Sequence, residues 1–144
     1  MPVIIEDFMP TILAAADVDL PADLPQIIDG RNFLPLMLTR RPTPEEEGLR
    51  SEAYATFSGR DLIWHFPHTY DGPPYSAIRR GTWKLVYWYV DERVELYNLA
   101  NDISEIFDVA EGYPRKVEEL QAALITRLKE RGALLPQINQ GAGK

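Results

Sequence analysis

Trp83-Lys84-Leu85-Val86-Tyr87-Trp88-Tyr89-Val90, a polar turn at Asp91-Glu92-Arg93, and then Val94-Glu95-Leu96-Tyr97-Asn98-Leu99 decide the fold. Two runs rich in aromatic and branched residues, separated by three polar ones, predict a β-hairpin. In the first run Trp83, Leu85, Tyr87 and Tyr89 alternate with Lys84, Val86, Trp88 and Val90. Both sets carry large apolar groups, so both faces of the sheet are expected to be covered at least in part. Upstream, Leu62–Phe66 and Ser76–Arg80 are two further strands, parted by a Pro/Gly-rich turn at 67–74. Downstream, Val117, Leu120, Leu124 and Leu128 recur at spacings of three and four. With Pro114 in the first turn and Gly132 at the end, they predict one long amphipathic helix. A shorter helix is expected over 102–110. The result is an α+β fold: a small antiparallel sheet of about four strands packed against a long C-terminal helix. One helix does not readily cover two faces of a sheet.

The N-terminal third reads differently. Asp7 is placed to cap a helix over Phe8–Ala16, with Pro10 in its first turn and Phe8, Ile12 and Leu13 on one side. Residues 17–30 form a loop. Asn32 caps a second short helix that holds Pro35 and runs to Leu38. Arg40 to Arg50, with Pro42, Pro44 and Glu45-Glu46-Glu47, is expected to be a solvated connection and the segment most prone to disorder. Residues 1–50 are accordingly set apart from 51–144.

The 144 residues are 45% hydrophobic and 26% charged, the composition of an ordinary globular chain. Residues 1–72 hold 5 Lys/Arg against 12 Asp/Glu, and residues 73–144 hold 10 of each, so the net charge of −7 belongs to the first half. An acidic surface repels phosphate, which argues against nucleic acid as a partner. No apolar run approaches the ~20 residues of a membrane helix. Met1 to Phe8 carries acids where an export signal carries bases. Without cysteine, thiolate metal sites and disulfides are excluded.

Few residues suggest chemistry on their own. No Gly-x-Ser-x-Gly elbow surrounds any serine, and no glycine-rich phosphate loop is present. His65-Phe66-Pro67-His68 has a metal-like spacing. On a strand, however, positions three apart face opposite ways, and only Asp71 lies near as a third ligand. The same pair opens a loop with Tyr70, Asp71, Gly72 and Tyr75, so the histidines either pack beneath that loop or line a cleft. Trp64, Trp83 and Trp88 suit core packing better than a sugar platform.

Strung together, the landmarks are more specific. Ile5-Glu6-Asp7-Phe8-Met9-Pro10-Thr11-Ile12-Leu13, Leu20-Pro21, Asp29-Gly30 and Phe33-Leu34-Pro35-Leu36 come first. Leu62–His68, Ser76–Leu85, Glu95–Leu99 and the acidic turn Asp102–Glu105 follow in order. The succession resembles the C-terminal third of type I sulfatases, with their Asp-x-x-Pro-Thr-x-Leu helix and Asp-Gly stretch. Departures are few. Asp17 stands where a glycine usually ends the first helix, which suggests a different helix stop. Thr82 replaces an aspartate, and Ile106–Ala110 departs from the common Asn-Leu-Ala ending.

The resemblance implies a parent enzyme that hydrolyses sulfate esters with a formylglycine, made within a Cys/Ser-x-Pro-x-Arg motif, and with a calcium ion. This chain contains no such motif. It is expected to be inactive alone, with no catalytic residue, metal ligand or cofactor of its own. Its expected partners are its own N-terminal catalytic domain, to whose periphery the first helix would belong, and, through that enzyme, a sulfated carbohydrate or other sulfate ester. The resemblance leaves a periplasmic or secreted location open. By position, His65, His68, Tyr70 and Tyr75 are the candidates for walling the substrate cleft. The alternative is a free-standing carbohydrate- or protein-binding module descended from such a domain; it would bury Phe8 and Ile12 with its own chain.

Overall fold

The structure is a computed structural model that describes residues 2–19, 29–37, 43–70 and 72–136. Residues 20–28 of the loop expected over 17–30, Leu38 of the second helix, residues 40–42 and Asp71 lie outside the described residues. The chain divides into two compact units, Met1–Arg60 and Asp61–Lys144.

In the first unit a 3-10 turn over Ile5–Asp7 leads into helix α1, Phe8–Ala15, followed by α2, Leu34–Met37, and α3, Pro44–Ser58. Asn32 caps α2 as expected, its Oδ1 accepting from the N–H of Leu34 at 2.9 Å. The solvated connection expected over 40–50 is, from Pro44 onward, the first half of α3, so the boundary expected at 50–51 falls inside a helix. The reason is a capping box. Thr43 Oγ1 accepts from Glu46 N–H while Glu46 Oε2 accepts from Thr43 N–H, with Pro44 at the first helical position and three acids in the first turn.

Asp7 is not the cap of α1 that its position suggests, for its carboxylate makes no bond to that helix. Both oxygens are occupied elsewhere. Oδ1 accepts from Arg31 N–H at 2.9 Å and Arg60 Nη1 at 2.7 Å; Oδ2 accepts from Ile4 N–H at 2.9 Å and Arg60 Nη2 at 2.5 Å. One turn on, Thr11 Oγ1 donates to the Asp7 carbonyl at 2.6 Å and accepts from Phe33 N–H at 3.0 Å. Asp7 and Thr11 therefore hold the backbone of residues 31 and 33. Between them Gly30 lies against Glu6 so closely that a Cβ would sit 1.8 Å from the Glu6 carbonyl oxygen. Only glycine fits. Helix α1 ends with Asp17 N–H on the Ala14 carbonyl and Val18 N–H on that of Leu13, and with Asp17 at φ +57°. That is the left-handed Schellman stop a glycine would make, so the different helix stop that Asp17 suggests does not occur.

The second unit is a four-stranded antiparallel meander in the order β1-β2-β3-β4: Asp61–Phe66, Tyr75–Arg80, Trp83–Trp88 and Val94–Asn98. Pairs such as Ile63↔Ile78, Ile78↔Leu85 and Leu85↔Leu96 set the register. Strand β3 stops two residues before the expected end: Tyr89 still donates its N–H to the Pro74 carbonyl, but Pro74 has no N–H to return and the ladder closes there. Helix α4, Pro114–Glu130, covers one face. Ile78, Leu85 and Leu96 pack with Leu120, Leu124 and Leu128, all six buried. The opposite face carries a second cluster of Ala77, Val86, Tyr97 and Leu99, flanked by Trp64, Tyr75 and Trp88. No helix forms over 102–109, contrary to expectation; only a 3-10 turn at Ala110–Gly112 is present. Side-chain carboxylates take the place of helical bonding. Asp102 Oδ2 accepts from Ile106 and Phe107 N–H, and Asp108 Oδ1 from Leu96 and Ala110 N–H.

Candidate functional site

Strand β1 delivers the two histidines to different surroundings. His65 shares the α4-covered face with Ile63, and its ring is engaged at both nitrogens. Nδ1 lies 2.7 Å from Ser76 Oγ, and Nε2 lies 3.0 Å from the carbonyl oxygen of Leu134. Ser76 Oγ is in turn 2.8 Å from Tyr89 Oη. The Leu134 carbonyl can only accept, so Nε2 carries the hydrogen. In the neutral ring Nδ1 then accepts from Ser76, and Ser76 accepts from Tyr89. This chain ties the segment after α4 to the sheet. Ser76 is wholly buried and His65 half-buried, and within this chain their contact is a structural bond.

His68, past the strand end, is exposed and lies with its ring 5.6 Å from that of Tyr70, which is 89% exposed. Tyr75 is on the sheet face opposite His65. Its ring stacks on Phe66 at 5.1 Å and leans on Trp88 at 5.2 Å, and the Arg93 guanidinium stands 5.1 Å from the Trp88 ring. Of the four residues expected to wall a cleft, the structure brings His68 to Tyr70 and Tyr75 to an aromatic row across three strands. It sets His65 apart from both. The indole N–H of Trp88 is buried with no partner among the described residues. Trp64 flanks the same face, whereas Trp83 belongs to the α4 side and leans on Tyr113 at 5.0 Å.

Charge pairs tie the edges of the sheet. Arg80 forks onto Asp61 at 2.7 and 2.8 Å and reaches Glu119 on α4 at 3.0 Å. The Arg80 guanidinium holds the Asp61 carboxyl below its usual range, against the opposing effect of burial. Lys84 meets both oxygens of Glu105 at 2.8 and 2.6 Å. Burial, with the Glu95 carboxylate nearby, pushes the Tyr97 hydroxyl up to about 12. In the first unit burial would raise the Asp7 carboxyl, but Arg60 and the N–H groups of Ile4 and Arg31 outweigh it and hold it down.

Among the described residues no three His, Asp or Glu side chains converge as a metal site. Asp7, the carboxylate most deeply buried, already accepts from four donors. The described residues do not fit a calcium ion. The sequence reading missed Arg60, Ser76, Tyr89, Asp102 and Asp108. Only the Thr43-x-x-Glu46 box and the Asp7/Thr11 spacing carried a local signal for such contacts.

A meander backed by one long helix, preceded by an Asp/Thr clamp on an Asp-Gly segment, defines a class of domain rather than an active site. The family model described as N-sulphoglucosamine sulphohydrolase, C-terminal, matches residues 3–133, and the chain belongs to that family: it is the C-terminal region of a sulfatase. A sulfatase of Formosa agariphila is 32% identical over 90% of this chain and 22% of its own length. The sulfatase YdeN of Escherichia coli is 26% identical over 93% of this chain and 27% of its own. The chain thus spans about a quarter of the length of these curated relatives. Among solved structures, BT4656 in complex with its substrate D-glucosamine-2-N,6-O-disulfate superposes with a TM-score of 0.57 at 25% identity, over 85% of this chain and 23% of that one. A sulfatase structure from Bacteroides thetaiotaomicron, at 18% identity and a TM-score of 0.59 over 93% of this chain and 27% of that one, shares the fold. No helix among the described residues is long and apolar enough to cross a membrane.

Proposed function

We propose that this chain is the non-catalytic C-terminal part of a sulfuric ester hydrolase, serving to complete its structure and to shape its substrate cleft. The formylglycine nucleophile and the calcium site would lie in the N-terminal catalytic domain, the chain's principal partner. The observation that carries this reading is the state of α1. Phe8 is 46% exposed and Ile12 62% exposed, although both belong to a stripe whose composition calls for burial. A free-standing binding module would cover them with its own residues, so the alternative is the weaker reading.

The substrate is proposed to be a sulfated carbohydrate. Support comes from the ligand of BT4656 and from the exposed pair His68 and Tyr70, beside the aromatic row that includes Tyr75. His65 would contribute by fixing the sheet beneath the loop, through Ser76 and Leu134. The test is kinetic and uses the whole enzyme. Replacing His68 and Tyr70 together by alanine is expected to lower kcat/KM roughly five- to tenfold on sulfated sugars while sparing a small aryl sulfate. Equal kcat/KM values on every substrate would remove the cleft role. Sulfate release by this chain alone would overturn the non-catalytic reading.

A further inference from the structure

We infer that the loop Asp102–Asp108 is a preformed apolar knob that seats in the catalytic portion of the sulfatase, the part of the protein outside this chain. The inference rests on the chain's being one part of a larger hydrolase. Ile103, Ile106 and Phe107 are 74%, 70% and 69% exposed, three large apolar side chains within five residues. A slack loop could fold such groups inward. This one cannot, because its backbone is held from both ends. Asn101 and Asp102 N–H donate to the Asn98 carbonyl, Asp102 Oδ2 takes the N–H groups of Ile106 and Phe107 at 2.8 Å each, and Asp108 Oδ1 takes those of Leu96 and Ala110 at 2.9 Å. Between the two carboxylates Glu105 adopts φ +56°, a left-handed conformation that costs a non-glycine residue energy, and its side chain is clamped by Lys84. The loop is thus fixed in a form that keeps its apolar groups in water, the mark of a surface with a partner.

Charge selects among occupants. Asp102, Glu105 and Asp108 lie within the loop and Glu111 just beyond it, and of the four Glu105 is paired with a cation, Lys84. Two copies meeting through this patch would set carboxylates against carboxylates. The remaining occupant is the rest of the sulfatase, since the curated relatives devote only 22% and 27% of their length to the region this chain covers. Its receiving surface should be an apolar pocket with basic groups at the edge.

Hydroxyl-radical footprinting of the whole, unaltered sulfatase reads the patch directly, with each residue referred to its own rate in the urea-unfolded protein. Ile103, Ile106 and Phe107 are expected to react at least about five-fold more slowly, where their exposure in this chain alone allows less than about two-fold. Retention of that faster rate overturns the inference. Protection that appears only as protein concentration rises would identify a second copy as the occupant and overturn it equally. An Ile106→Ser/Phe107→Ser variant of the whole enzyme should lose the protection at Ile103 and melt several degrees lower; an unchanged melt with Ile103 still protected would overturn it as well. Phe8 and Ile12 separate the two levels of the argument. If they are protected while the loop reacts freely, the knob alone fails. If all five react freely, the reading of the chain as a docked part fails with it.

Discussion

Met1–Arg60 and Asp61–Lys144 are held together by different physics. The second unit has an apolar core in the ordinary sense, six buried Ile and Leu residues between a sheet and a helix. In the first, Phe57 is the only buried hydrophobic side chain among the described residues, while Asp7 is wholly buried and satisfied by four hydrogen bonds. Phe33 stands edge-on to both Phe8 and Phe57, at 5.5 and 6.4 Å, and the Arg60 guanidinium lies 4.4 Å from the Phe57 ring. Apolar area is thus traded for a charge clamp, and Ile5, Phe8, Met9 and Ile12 remain exposed. A segment organised by polar contacts can keep its shape while leaving its apolar side for another surface. A segment organised by a core has little left over to offer.

The comparison is broken most severely at Asp7. Asp7→Ala leaves the Arg60 guanidinium, only 7% exposed, without its partner. It also strands the N–H groups of Ile4 and Arg31. A loss of about 3–5 kcal/mol is expected, read as chemical denaturation of the first unit. The sign with pH follows from the lowered carboxyl. Its contribution is present above the unfolded value of about 4 and disappears as pH falls through the lower folded value, so acid unfolding of this unit should flatten in the variant. Wild-type and variant curves with the same acid slope would count against the clamp. In the second unit the matching change is Leu124→Ala, which empties a site 1% exposed between α4 and the sheet. About 2–5 kcal/mol is expected, with no dependence on acid pH.

The two units were also unequally legible in sequence. All four strands, the hairpin and α4 follow from alternation and from the 117-120-124-128 spacing, because in a core the periodicity of the residues is the structure. The clamp is different. Asp7 beside a helix start looks like a cap, and nothing local reveals that Arg60, 53 positions away, will take its carboxylate. The same holds for the loop over 102–108, where Asp102 and Asp108 favour a helix by position and then replace it with bonds to backbone N–H groups. His65 and Tyr75 could not be assigned to opposite faces until the register Phe66↔Tyr75 was known. Resemblance supplied what periodicity could not, since it concerns the order of landmarks along the chain and needs no local signal.

A smaller effect sharpens the contrast within the second unit. Ser76→Ala removes the hydroxyl between His65 Nδ1 and Tyr89 Oη, leaving both without that partner in a partly buried setting. About 1–2 kcal/mol is expected. The change should be local as well, with faster hydrogen exchange at residues 133–135, because His65 holds the Leu134 carbonyl. A loss spread evenly over the unit, with exchange at 133–135 unaltered, would mean that the His65 chain does not anchor that segment.

The smallest effect has the opposite sign and sets the two helix ends side by side. Helix α4 closes with Gly132 at φ +62°, its N–H on the Lys129 carbonyl and that of Ala133 on Leu128. Helix α1 closes with the same pattern of bonds around Asp17 at φ +57°. A left-handed backbone costs an L-residue roughly 1–2 kcal/mol, less for Asp than for most, and glycine avoids the cost at some expense in unfolded-chain entropy. Asp17→Gly should therefore stabilise the first unit by up to about 1 kcal/mol, while Gly132→Asp should destabilise the second by a similar amount. The pair of reciprocal variants is the useful experiment, because composition is exchanged while the bonding pattern is held constant. If Asp17→Gly destabilises, the Asp17 side chain contributes at that stop, and the two helix ends share their geometry without sharing their energetics.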